Sequence, residues 1–80
     1  MVSRWTITVV PDARAEIYKV PRGKAADVTD AISALGKDPK PEGSEEIEEE
    51  PNIYKIQVGE YTIEYELIEQ DKEVKILVVR

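Results

Sequence analysis

From Arg4 to Val10 apolar and polar residues alternate, with Trp5, Ile7 and Val9 on one side and Arg4, Thr6 and Thr8 on the other. That period of two, filled with β-branched residues, predicts a half-buried strand. Pro11 ends it, and Asp12 is placed to cap a short helix through Lys19, because an Asp side chain accepts the free N–H groups of a first helical turn. Ala13, Ile17 and Val20 would line the inner face of that helix. Pro21 and Gly23 interrupt it, since proline lacks the N–H that a helix interior needs. Ala25, Val28, Ile32 and Leu35 then form one apolar stripe on a second helix, from Lys24 to Leu35. Gly36 follows as the expected left-handed residue after its last turn.

Residues Lys37 to Ser44 carry Pro39, Pro41 and Gly43 and predict a linker. The run Glu45 to Glu50, broken only by Ile47, resists folding alone and predicts an exposed loop. Alternation returns near Asn52. Tyr54, Ile56 and Val58 face one way, Lys55 and Gln57 the other. Gly59-Glu60 suits a two-residue type II′ hairpin turn, where the first position has positive φ. The return strand places Tyr61, Ile63, Tyr65 and Leu67 on the apolar side and Thr62, Glu64 and Glu66 on the polar side. Glu69 to Lys72 turns the chain again, and Val74 to Val79 is apolar at nearly every position, the mark of an interior strand with both faces partly covered.

The order is strand, two helices, three strands. It predicts one α+β domain over residues 1–80, with both helices packed on one face of a small, mostly antiparallel sheet. A chain of 80 residues buries only about 60% of its unfolded surface, so its core is modest. With neither cysteine nor histidine, it lacks thiolate staples, the commonest zinc ligand and the usual general base near neutral pH. The glutamate run lacks the spacing of a calcium loop, so neither a metal nor a cofactor is expected. The sequence shows no membrane-spanning run and no signal-peptide pattern, and a cytoplasmic location is the expectation.

Charge changes the functional picture. Residues 1–40 hold seven basic and five acidic side chains, a net of +2, whereas residues 41–80 hold four basic and twelve acidic, a net of −8. A field of that sign repels phosphate backbones.

Two stretches resemble a known family. Leu35-Gly36-Lys37-Asp38-Pro39-Lys40-Pro41-Glu42-Gly43 resembles the L-x-x-D-P-R-P-x-G junction of RelE/ParE-type bacterial toxins. Tyr54 through Leu67 resembles that family's Y-R-I-R-V-G-D-Y-R-V-I-Y-E-I hairpin. The resemblance implies a β-α-α-β-β-β fold and a type II toxin neutralised by an antitoxin protein from a neighbouring gene. It also implies ribosome-dependent mRNA cleavage, with ribosome and mRNA as further partners, if the chain is RelE-like. ParE-like members share the fold but are directed at DNA gyrase without the nuclease residues.

RelE-like chemistry uses cations on the open sheet face, because charge builds on the phosphoryl oxygens in the transition state. By resemblance the candidate catalytic residues are Lys55, at a basic position of the motif, and Arg80, as a stand-in cation; of the two glutamates on the same polar side, Glu64 and Glu66, one could serve a nuclease as general base, and Glu64 is the candidate. Gln57 stands where the family often has a second basic residue, and Thr62 where it has arginine. Threonine cannot form the bidentate phosphate contact of an arginine. RelE-like toxins continue past the last strand into a basic tail, whereas this sequence ends at Arg80. These departures predict a weak or impaired nuclease, with a non-enzymatic, protein-binding member of the fold as the alternative. The three tyrosines of the hairpin fall on its apolar side and are expected in the core.

Overall fold

The computed structural model describes residues 4–47 and 49–80. Its elements run β1 (Thr6–Val9), α1 (Pro11–Tyr18), α2 (Arg22–Ala34), β2 (Glu45–Glu46), β3 (Ile53–Val58), β4 (Tyr61–Ile68) and β5 (Glu73–Val79). They build one five-stranded sheet in the order β1-β5-β4-β3-β2, parallel only between β1 and β5. The α+β architecture is the expected one, with an additional two-residue strand. No helix among the described residues is long and apolar enough to cross a membrane.

Register explains the division of the sheet into two faces. Residues directly opposite each other share a face, so Tyr54, Tyr65, Ile76 and Val9 form one row across four strands. Ile56, Ile63 and Val79 form the next, and Leu67, Val74 and Ile7 another. These rows meet Ala13, Val28 and Ile32 from the helices, and Val20 and Leu35 from the turns that follow them, in one core. Val28, Leu35, Ile63, Tyr65, Val74 and Ile76 are fully buried there.

β5 is interior, as its run of apolar residues predicted, but the run has a second cause. Tyr65 pairs with Ile76 and Glu64 with Val78, so Leu77 is an extra residue in β5. Such a bulge interrupts strict alternation. Buried residues therefore fall at Val74, Ile76 and Val79, while Leu77 and Val78 are half-buried.

Three local expectations are corrected. Asp12 does not cap α1: Val10 occupies the N-cap in extended geometry and Pro11 opens the helix. Proline suits that first position because its fixed φ is already helical and its missing N–H would have no partner there. Gly36 is not among the positive-φ residues, which are Gly43, Asn52, Gly59 and Lys72. Its small size serves a close approach instead. A Cβ there would sit 3.2 Å from the Trp5 carbonyl oxygen, and Trp5 donates its N–H to the Gly36 carbonyl at 2.8 Å. Finally, Glu45 and Glu46 form β2 rather than a loop, paired with Lys55 and Tyr54. Glu48, from the same run, lies outside the described residues.

The segment after α2 is tied down by the tyrosines. The Tyr65 hydroxyl donates to the Pro39 carbonyl at 2.9 Å. Its ring stacks on Tyr54 with centroids 6.0 Å apart, and the Lys40 ammonium lies 5.4 Å from the Tyr54 centroid. At the other edge, β1 pairs with β5 only as far as Val9 and Ile76. The Val79 N–H therefore points past the end of β1, where the Glu16 carboxylate of α1 accepts it at 2.8 Å.

Two outcomes follow from these contacts. Burial pushes the Tyr65 phenol up to about 12 from its ordinary 10.0. The fold favours the protonated phenol, so this contribution is complete below pH 10 and is lost as pH rises toward about 12. Urea midpoints measured across that window should fall, and Tyr65→Phe should remove this part of the slope while lowering stability at pH 7 by about 1 kcal/mol. Glu16→Ala leaves a strand N–H without an acceptor and should cost about 1–3 kcal/mol in urea unfolding, with Glu16→Gln recovering most of it.

Candidate functional site

The face of the sheet away from the helices carries the polar side chains. One row crosses β2, β3 and β4 as Glu45, Lys55 and Glu64 and continues to Val78 on β5. The next row holds Gln57 opposite Thr62, and Thr62 exchanges both backbone hydrogen bonds with Arg80, at 2.6 and 3.0 Å. A third row places Ile53, Glu66, Lys75 and Thr8 side by side. The three residues expected to carry chemistry, Lys55, Glu64 and Arg80, are thus brought together around Thr62.

An open groove of about 240 Å³ lies at this place, lined by Gly43, Glu45, Lys55, Ile56, Gln57 and Thr62. Gly43, at φ 93°, has nothing within 4 Å of where a Cβ would stand, which leaves the groove's rim free. Lys55 and Gln57 are exposed, and Thr62 and Glu64 half-buried.

The cations of the site already have anionic partners. An Arg80 guanidinium nitrogen (Nη2) donates to a Glu64 carboxylate oxygen at 2.8 Å. Lys55 Nζ stands 3.9 Å from the Glu45 carboxylate and has Glu64 as its other cross-strand neighbour. The two pairs are not equal. The Glu64 side chain is 21% exposed and makes a short, charge-assisted hydrogen bond, whereas Glu45 is 71% exposed and at salt-bridge distance only. Lys75 likewise sits between Glu66 and Thr8. The face as a whole offers alternating charge, with neutral Gln57 and Thr62 in the groove. Gln57 spends one amide donor on the Gly59 carbonyl, at 3.1 Å.

Chemically, the groove can accept an extended polar chain, and its cations can contact a phosphate only in competition with the carboxylates beside them. Among the described residues no three acidic side chains are arranged to hold a metal ion. The tyrosines stand on the other face, as expected, with Tyr65 fully buried and Tyr54 and Tyr61 half-buried. Glu45 is the site residue that sequence pattern missed. Two residues of pairing inside a run of glutamates leave no periodic signal, and only the register of β3 reveals it.

Comparison with solved structures places this geometry in a known fold. The chain matches the RelBE toxin–antitoxin complex from Mycobacterium tuberculosis at 22% identity and a TM-score of 0.85, over 100% of this chain and 93% of that one. It matches the archaeal RelE–RelB complex from Pyrococcus horikoshii at 18% identity and a TM-score of 0.85, over 100% of this chain and 94% of that one. A free mutant of the Escherichia coli toxin RelE matches at 18% identity and a TM-score of 0.81, over 95% of this chain and 81% of that one. No protein-family model matches the chain, and no curated protein matches it significantly. The fold is that of RelE toxins, as the two motifs implied.

The inequality of the two ion pairs is measurable. Double-mutant cycles at low salt should give a coupling of about 1 kcal/mol for Glu64 with Arg80 and below about 0.5 kcal/mol for Glu45 with Lys55. Only the second should vanish by about 0.5 M salt, because exposed charges are screened more than half-buried ones.

Proposed function

We propose that this chain is the toxin-type component of a type II toxin–antitoxin module, acting as a weak, RelE-like, ribosome-dependent mRNA endoribonuclease. The fold shared with RelE toxins, two of them in complexes with RelB, supports the toxin role and an antitoxin partner. The observation that carries the assignment of the site is that Lys55 lines one open groove with Gln57 and Thr62, while Glu64 and Arg80, hydrogen-bonded to each other, stand beside it as the cross-strand neighbours of Lys55 and Thr62.

In such a reaction the 2′-hydroxyl attacks the neighbouring phosphorus, the bond from phosphorus to the 5′-oxygen breaks, the leaving oxygen takes up a proton from water, and a cyclic phosphate remains. Lys55 and Arg80 would stabilise the charge that grows on the phosphoryl oxygens, and Glu64 would accept the 2′-hydroxyl proton. Weakness follows from the same residues. Arg80 is already bonded to Glu64 and Lys55 lies between two carboxylates, so binding phosphate requires breaking existing pairs. Thr62 supplies a hydroxyl where a guanidinium would supply two parallel N–H donors and a charge.

The pairing of both cations favours a second reading, in which the chain binds its antitoxin through the same fold without cutting RNA. Co-expression with the product of the neighbouring gene, followed by a translation assay with purified ribosomes and message, separates the two. The expected outcome is a stable complex together with slow, ribosome-dependent cleavage that falls at least about a hundredfold in Lys55→Ala. A complex with no cleavage selects the binding-only reading. Failure of any neighbouring product to co-purify overturns the toxin-type assignment.

A further inference from the structure

We propose that Glu64 acts as a built-in mask of the open groove, setting its selectivity against polyanions, and that removing its charge converts the groove into a binding site for single-stranded RNA. This deepens the assignment of the groove made above and rests on it only for the choice of ligand class.

The position of Glu64 carries the inference. Among the described residues it is the one carboxylate adjacent both to Lys55, which lines the groove, and to Arg80, which pairs with Thr62 beside it: it is cross-strand to Lys55 and hydrogen-bonded to Arg80 at 2.8 Å. Being 21% exposed, it acts where water screens it less than it screens Glu45. Glu64 also shares its face of β4 with Thr62, two residues away, so its charge stands next to the groove floor. A phosphate entering between Lys55 and Thr62 therefore meets a carboxylate within the same cluster. With Glu64 neutral, Lys55 and Arg80 flank Thr62 and Gln57 as two cations without a half-buried counter-charge. Two cations beside two neutral hydrogen-bonding side chains suit consecutive phosphates of an extended strand.

The remaining carboxylates do not replace it. Glu45 touches Lys55 at 3.9 Å but has no contact with Arg80 and is largely solvated. Glu66 lies in the adjacent row with Lys75 as its cross-strand neighbour on β5.

The test is equilibrium binding of the purified chain to a fluorescent oligouridylate of about twelve nucleotides, a length within the span of single-strand sites. Glu64→Gln should bind about tenfold more tightly than the unaltered chain at low salt, from two released cations. Its log affinity against log salt should be steeper by about 1.4, the slope expected for two added phosphate contacts on a single strand. Asp27→Asn, on the exposed surface of α2, makes the same change in net charge away from the groove and should leave affinity within about twofold. The gain of Glu64→Gln should disappear when Lys55→Ala and Arg80→Ala are added. Should Glu64→Gln fail to fold, Glu64→Thr removes the charge with a good strand former and carries the same expectation.

The proposal is overturned if the charge-neutral variant gains no more than Asp27→Asn, or if its gain survives loss of both cations. Neither ribosome nor antitoxin enters this measurement. Its failure would leave the partner and cleavage experiments untouched, and theirs would leave it standing.

Discussion

β5 lies between β1 and β4, and its buried side chains Val74, Ile76 and Val79 join those of both neighbours in the core. Because β1 begins the chain's fold and β5 ends it, their parallel pairing joins residues from opposite ends of the sequence. Parallel neighbours cannot be linked by a tight turn, so the intervening chain must travel around the sheet. The helices make that passage across one face, and the β3–β4 hairpin returns along the free side of β5. Until β5 docks, the hydrophobic side of β1 has no sheet to join. Such long-range closure carries a loop-entropy cost, and β1 depends on it to join the sheet. Several details reinforce the seam, among them the Thr8 hydroxyl donating to Glu73 at 2.5 Å and the Val10 N–H reaching the Ile76 carbonyl at 3.1 Å.

This dependence explains the unequal treatment of the two sheet faces. Toward the helices, packing dictates size and shape, and Tyr65 is held at both ends, by its ring on Tyr54 and its hydroxyl on Pro39. Away from them, the side chains are exposed or half-buried, and charge weighs more than packing. Opposite charges directly across strands add modestly to sheet stability. The rows Glu45–Lys55–Glu64 and Glu66–Lys75 therefore help the sheet while leaving little net positive potential over the groove. A surface suited to gripping phosphate needs the opposite arrangement, with like charges gathered together. Stability of the sheet and strength of the proposed site thus compete for the same side chains.

Much of this was legible from sequence. Alternation placed Lys55, Gln57, Thr62 and Glu64 on one face because the other face is buried, and Gly59 at φ 60° fixed the hairpin register that makes Lys55 and Glu64 neighbours. The fold followed from the same pattern and the two family-like motifs. What remained hidden depended on tertiary partners. Gly36 resembled a helix stop by position, but its role is set by the backbone of Trp5, which is remote in sequence. Pro11 displaced Asp12 from the cap because either residue could open a helix, and only the exit from β1 selects between them. Glu45 gave no sign of pairing. The partner of Arg80 was out of reach as well, since Leu77, Val78 and Val79 are equally apolar and nothing in their order marks which one is the extra residue.

That extra residue has a consequence of parity. Counting by twos from buried Ile76, an unbroken β5 would send Val78 and Arg80 toward the helices and Val79 to solvent. The bulge at Leu77 reverses the count, so Val79 enters the core and Arg80 emerges beside Glu64. A guanidinium aimed into the hydrocarbon layer would have no counter-charge among the buried residues, none of which is polar or charged among those described. One inserted position therefore does two jobs at a distance: it keeps the strand's last aliphatic residue dry, and it brings a cation out beside Glu64 on the polar face. In a sheet whose two faces have such different chemistry, an odd or even number of residues decides which side chain stays dry and which meets water.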